Sequence, residues 1–298
     1  MPYPGGGMMV RARFSNFDFV ISLLLILLSL SFLYPIANQL ATSISDADQL
    51  GWQGVTVVPV GFSTDAYRAL LSNDAILRYY VNTIKYAAVG TFIMILTTSM
   101  MAYPLTFREL RGRKLIMILL VITMFFSGGL VPYYLLVLSL GLVDTIWALV
   151  LPNAIVAWNV IIFRTFFGTV PTALRESAHI DGAGHFLVLF RIVMPLSKPL
   201  LATFVLFSLV GFWNDYFWAL IFLRDQDKQP VQLFLRRILV LVDLADLENT
   251  AALQVFNNFS SRTVKAAALI VTITPILCVY PFLQKYFTKG LLIGSLRD

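Results

Sequence analysis

The sequence predicts an all-α integral membrane protein with six transmembrane helices. Three observations carry this. Of its 298 residues, 58% are apolar and only 13% charged, whereas a soluble domain carries about a quarter charged residues. Six stretches reach the roughly 20 mostly apolar residues that a helix rising about 1.5 Å per residue needs to cross a hydrocarbon layer of about 30 Å. Lys and Arg gather in alternate connections. The formal charge of +6 therefore reads as loops bordering a bilayer, and its spread over short loops excludes a nucleic-acid surface.

The first stretch, near 18 to 40, follows Arg11 and Arg13 as a signal peptide would. Its apolar run from Phe19 to Ile36 exceeds the core of about 7 to 15 residues that such peptides carry, so a retained span is expected. The second runs near 81 to 106, and the third near 115 to 137. In the third, Gly128, Gly129 and Pro132 should break the helix and leave Tyr133 to Leu140 as a short outer helix. The fourth covers 145 to 168, the fifth 197 to 223 and the sixth 265 to 288. Cys278, the single cysteine, excludes an internal disulfide or a cysteine-based metal site.

Loop charge sets the topology. The 107–114 loop holds Arg108, Arg111, Arg113 and Lys114, the 169–196 loop holds Arg175 and Arg191, and the tail carries Lys289 and Arg297. These face the cytoplasm, and so do both termini. The 41–80 segment is richer in acid and the 138–144 link has no Lys or Arg, which places both outside. The outer stretch 224–264, mixed in sign, is long enough for short helices of its own. The organisation is a cytoplasmic tail over 1–17 and a single transmembrane domain over 18–298.

The loop at 169–196 is the most informative segment. Pro171 suits a first helical turn and Thr169 is placed to cap it. Leu174, Ala178 and Asp181 then share one side, with Ala173, Ser177 and Ile180 as the adjacent stripe. Small side chains at 173, 177 and 178 would admit another protein's surface close to the backbone. Gly182 and Gly184 let the chain turn before an apolar helix from His185 to Val193, which Pro195 closes. Glu176, Ser177, Ala178, Asp181, Gly182 and Pro195 are the candidate coupling residues.

The spacing Glu176-Ser177-Ala178, three residues, Gly182, nine residues, Ile192, one residue, Met194-Pro195 resembles the EAA loop by which permease subunits of ABC importers dock onto their ATPases. Ser177 and Met194 replace the usual Ala and Leu. The run Phe126 to Tyr134, the stretch Gly141 to Thr145, Trp213-Asn214-Asp215 and the ending Gln284 to Gly290 look like the carbohydrate permeases of the MalG type, especially the LplC/YtcP-like group. That resemblance implies the MetI-like permease fold with a cytoplasmic coupling helix, in a prokaryotic cytoplasmic membrane. It also implies a second permease subunit, two cytoplasmic ATPases and an external solute-binding protein as partners. Relatives in the group handle complex oligosaccharides, including uronate types such as alginate or pectin fragments. Peptide and amino-acid permeases share the loop, and only the carbohydrate-like flanking runs argue against them.

The chain has no Gly-x-x-x-x-Gly-Lys-Ser/Thr phosphate loop, so ATP and Mg are expected on the partner ATPases and no cofactor on this chain. Nor does it contain His-Glu-x-x-His or Gly-x-Ser-x-Gly, which argues against a membrane enzyme and leaves no catalytic residues. A proton-coupled carrier shares the composition but not the loop. Within the fifth span, Asn214 and Asp215 are candidate pathway groups, since an ionisable residue at membrane depth needs a cavity or a partner. With Trp213, Tyr216 and Trp218 they offer the flat ring faces and hydrogen-bond groups that sugars favour. The alternative reading places Asp215 at the outer interface, with the aromatics in the interfacial belt. His179, His185 and Asp181 match no common metal-ligand spacing, and a solvated role is expected for them.

Overall fold

The computed structural model describes residues 16–47, 49–50, 57–72, 74–248 and 261–295. The expectations resting on residues 1–15, on Asp48 and on Arg297 lie outside them. Every regular element among the described residues is helical. The described residues fall into two compact units, one within 16–68 together with 261–270 and one within 69–248 together with 271–295.

In the first unit, α1 (Asn16–Ser43) is apolar all round, and its side chains from Phe17 to Leu33 stay exposed. A helix so apolar and so little covered by protein fits a lipid-facing span. After it, Asp46 N–H donates to the Val60 carbonyl and Ser63 N–H to the Ile44 carbonyl, which fold the following loop back toward α2 (Asp65–Leu71).

The second unit is built on α3 (Asp74–Ala102), which continues through a 3-10 turn at Pro104–Thr106. It is the predicted second span, begun earlier than expected. Then come α4 (Arg113–Phe125) and α5 (Leu130–Ser139), bent by 119°. The expected break in the third span is there, at Phe126–Gly129, with Gly129 at φ +82. Pro132 does not interrupt, because it sits in the first turn of α5, where its missing N–H costs nothing.

The fourth predicted span is not one helix. It consists of α6 (Trp147–Val150), an irregular passage over 151–156 and α7 (Ala157–Phe167). Pro152 lies in the break, and Thr97 of α3 donates its hydroxyl to the freed Ala154 carbonyl. A buried carbonyl satisfied by a neighbouring helix is what lets irregular backbone persist at membrane depth.

Next follow α8 (Thr172–Ile180), α9 (His185–Val188), a π turn at Leu189–Val193, α10 (Met194–Leu196) and α11 (Lys198–Asn214). The His185–Leu196 rod meets α11 at 85°. The fifth predicted span also breaks, at Asp215 and Tyr216, before α12 (Phe217–Phe222). The 224–264 stretch holds more than short helices: after a 3-10 turn at Gln226–Lys228 comes α13 (Val231–Glu248) of 18 residues. Finally α14 (Ser261–Ser295) contains the sixth predicted span. Three unbroken helices among the described residues are long and apolar enough to cross a membrane, and the two bent pairs raise this to as many as five.

Between helices in lipid there is no water to expel, so close packing and hydrogen bonds hold them. The principal core joins α3, α7, the π turn and α11, with Phe163 and Phe167 fully buried and the Phe163 ring edge-on to Phe204 at 4.9 Å. Higher on α3, Gly90 lets the Phe212 ring of α11 lie against the backbone: a Cβ at 90 would stand 2.3 Å from it. Thr91 donates to Ser208 at 2.9 Å beside this contact.

Candidate functional site

Local bonding explains the loop's spacing. Helix α8 ends in a Schellman motif: Ala183 N–H donates to the Ala178 carbonyl at 2.8 Å and Gly182 N–H to the His179 carbonyl at 3.0 Å. Gly182, at φ +85, occupies the left-handed position where a side chain would be strained. The four-residue step from Ala178 to Gly182 is thus the step from the C3 position of a helix to its left-handed terminator. The start of α8 differs from expectation. Pro171 is the N-cap residue with no side-chain acceptor, and Thr169 turns back to donate to the Phe166 carbonyl.

Arg175 anchors α8. It is only 8% exposed, and its two terminal nitrogens donate to Thr106 Oγ1 at 3.2 Å and to the Val170 carbonyl at 3.5 Å, over the Phe107 ring. Nothing in its sequence position distinguishes this residue from a solvated arginine. Its burial fixes the helix rotation: Arg175, Ala178 and His179 face inward, while Ala173, Leu174, Glu176, Ser177, Ile180 and Asp181 are exposed. Ala178 is half-buried and packs against the core, whereas Ala173 and Ser177 are exposed. Ile180 is 86% exposed. His179 is not simply solvated either. Its Nδ1 pairs with the Ala183 carbonyl at 2.8 Å, and its ring meets that of His185 at 4.7 Å.

Pro195 does not close the second helix. The helix runs on to Leu196, and the π turn lies over Arg191, whose carbonyl a regular α turn would press against the proline ring. The bend falls at Ser197.

A second feature is a groove of about 780 Å3 along α7 and α11. Asn214 and Asp215 line it, as the sequence suggests, but Trp213 and Tyr216 do not. Trp213 is buried and donates Nε1–H to the Thr272 carbonyl at 3.2 Å, which ties α11 to α14. Trp218, the third aromatic the sequence offers, does line it, and Trp158 and Phe207 supply further ring faces, while Asn153, Asn159 and Ser208 add polar groups. Trp158, Ile162 and Phe166 recur every four residues on α7, a stripe that periodicity could have exposed. Asp215 Oδ1 accepts Trp218 N–H at 3.2 Å, which starts α12 after the break.

At the opposite end from the loop, Lys228 Nζ lies 2.9 Å from Asp144 Oδ2, while Asp144 Oδ1 accepts the N–H groups of Arg224 and Asp225. The hydrogen bond from Lys228, then that from Asp225 N–H, holds the Asp144 carboxyl below its usual range; the same partnership raises the Lys228 ammonium. The loops thus sort into two groups. Residues 105–106 join 164–175 through Arg164 and Arg175, and 144 joins 224–228.

Residues 69–293 match the family model of the binding-protein-dependent transport system inner membrane component. Protein LplC of Bacillus subtilis (strain 168) is 43% identical over 268 residues, covering 90% of this chain and 89% of the relative. The polygalacturonan/rhamnogalacturonan transport system permease protein YtcP of the same organism is 40% identical over 281 residues, covering 94% and 98%. A solved chain of a bacterial ABC transporter involved in the import of the acidic polysaccharide alginate superposes with a TM-score of 0.84 at 34% identity, covering 91% of this chain and 96% of that one.

Proposed function

The chain belongs to the family of binding-protein-dependent transport system inner membrane components, and from that premise we propose that it is the membrane permease subunit of an ATP-driven oligosaccharide importer. It is a transport component and not an enzyme. The observation that carries the sugar assignment is similarity over nearly the full length both to YtcP and to the permease of the alginate importer. Both handle acidic polysaccharides, so uronate-type fragments are the substrate class to try first.

In this reading residues 18–298 act as one permease domain of six spans with both termini in the cytoplasm, bent pairs and the 145–168 passage counted as spans. A second permease completes the pathway, a solute-binding protein delivers the sugar outside, and two ATPases carry ATP and Mg inside. The α8 helix is the coupling element. Its exposed stripe of Ala173, Glu176, Ser177 and Ile180 seats against an ATPase, with Gly182 and the Pro195 turn holding its angle. ATP closure then moves the loop, and the permeases rock between inward-open and outward-open states. The groove of Trp158, Asn159, Phe207, Asn214, Asp215 and Trp218 forms this subunit's wall of the pathway, where ring faces stack on sugar and amide groups bond hydroxyls.

The test is ATP-driven uptake by the assembled importer in proteoliposomes, with copurification of the ATPase. Glu176→Lys is expected to uncouple hydrolysis from uptake. Unchanged coupling in that variant would reject the seating of α8.

A further inference from the structure

Beside α8 lies a groove of about 740 Å3, walled by Arg108, Arg113, Arg164 and the inward-facing Arg175 against two exposed carboxylates, Glu109 and Glu176. None of the ion pairs among the described residues uses any of these six groups. Arg164 and Arg175 direct N–H groups to the Leu105 and Val170 carbonyls instead, and Arg175, 8% exposed, keeps a buried Nε with no partner.

Two helices begin at this groove, α4 at Arg113 and α8 at Thr172. Neither has a side-chain cap or an acidic residue in its first turn. Free N–H groups at a helix start carry partial positive charge, which an anion or acidic side chain ordinarily offsets. Here arginines stand in that place. Two helix starts and four guanidiniums of one sign, facing two carboxylates, leave the groove with an uncompensated positive potential.

The planar guanidinium fork matches two oxygens of a phosphate, and the volume exceeds that of a bare inorganic ion. The groove also lies at one terminus of each of two apolar helices, the end of α7 at Phe167 and the start of α4 at Arg113. That is the level at which basic pockets meet lipid headgroups. We propose that this groove is a binding site for a phosphate-bearing anion, supplied by an anionic lipid headgroup or by a free phosphate. The site follows from the geometry alone and does not depend on the coupling role of α8.

The test uses the full chain in nanodiscs of phosphatidylcholine with or without phosphatidylglycerol, reading lipid retention by native mass spectrometry and thermal shift with inorganic phosphate. Arg108→Gln combined with Arg113→Gln should weaken binding about tenfold or more, while Lys114→Gln, a basic residue outside the groove, should leave it unchanged. Should the double variant not fold, Glu109→Gln provides the opposite sign and is expected to tighten binding. Retention of phosphatidylglycerol that phosphate does not displace assigns the headgroup, and displacement by phosphate assigns the free anion. Equal binding by wild type, the double variant and Glu109→Gln overturns the site. So does an equal loss in Lys114→Gln, which would mark mere surface charge, or crosslinking of Arg108 to acidic residues of an ATPase with no lipid or phosphate bound.

Discussion

The Ala183 N–H reaches back 2.8 Å to the Ala178 carbonyl, and that bond, closed across Gly182, sets the length of the loop helix. Gly182→Ala places a Cβ at φ +85, a strain of about 1–2 kcal/mol. No neighbour lies within 4 Å of that Cβ, so the penalty is conformational and not steric. We expect a frayed α8 and reduced coupling, seen as faster deuterium exchange at 178–183 and less sugar moved per ATP. Gly182→Asn, which tolerates the left-handed region better, should recover part of the loss.

Gly90→Ala tests the α3–α11 contact. Its Cβ would stand 2.3 Å from Phe212 Cζ and 2.4 Å from Cε2, and overpacking of this kind costs about 1–3 kcal/mol. A lowered thermal midpoint in detergent is expected, with partial recovery on adding Phe212→Leu. Simple additivity of the two substitutions would show that the helices separate without strain.

The outer clamp has a defined pH window. Asp144 is depressed, so its contribution is present above the ordinary carboxylate value near 4 and is lost as pH falls through its folded value. Lys228 is raised, so its share is present below about 10.4 and is lost as pH climbs through its folded value. Between those limits the clamp should be constant. Asp144→Asn keeps a residue that accepts φ +63 while removing the charge. Thermal unfolding should separate it from wild type at pH 7, and the two should converge as pH falls through the lowered folded value of Asp144.

Within the groove, Trp158→Ala should raise the KM for sugar uptake by about tenfold, in line with the loss of an aromatic face, and Trp213→Ala should act differently. Trp213 ties α11 to the Thr272 carbonyl, so its removal is expected to lower stability and assembly. Uptake kinetics alongside size-exclusion profiles distinguish the two. A KM change from Trp213→Ala in a stable complex would contradict the placement.

How far the sequence reaches depends on whether the deciding interaction is local. The Schellman end of α8 is local, so its residues announce it, as do Gly129 and the bend after α4. Breaks at 151–156 and 215–216 are not announced. Apolar content measures compatibility with lipid, whereas these breaks persist through distant bonds such as Thr97 to the Ala154 carbonyl. Rotation of α8 was equally hidden, because a short polar helix shows its stripes but not which stripe turns inward; Arg175 settles that through Thr106, 69 residues away. The same limit separates Trp213 from Trp158. Both are tryptophans in apolar helices, and only packing tells a strut from a wall.

The 85° corner at Ser197 has a mechanical consequence. Val188, Leu189 and Val193 before it share a buried core with Leu200 and Phe204 after it, so in the proposed transport cycle residues 185–214 would pivot together as a bell-crank. A tilt applied at His185 would then emerge turned through nearly a right angle, and because the arm beyond Ser197 is the longer one, it would be magnified where Asn214 and Asp215 stand.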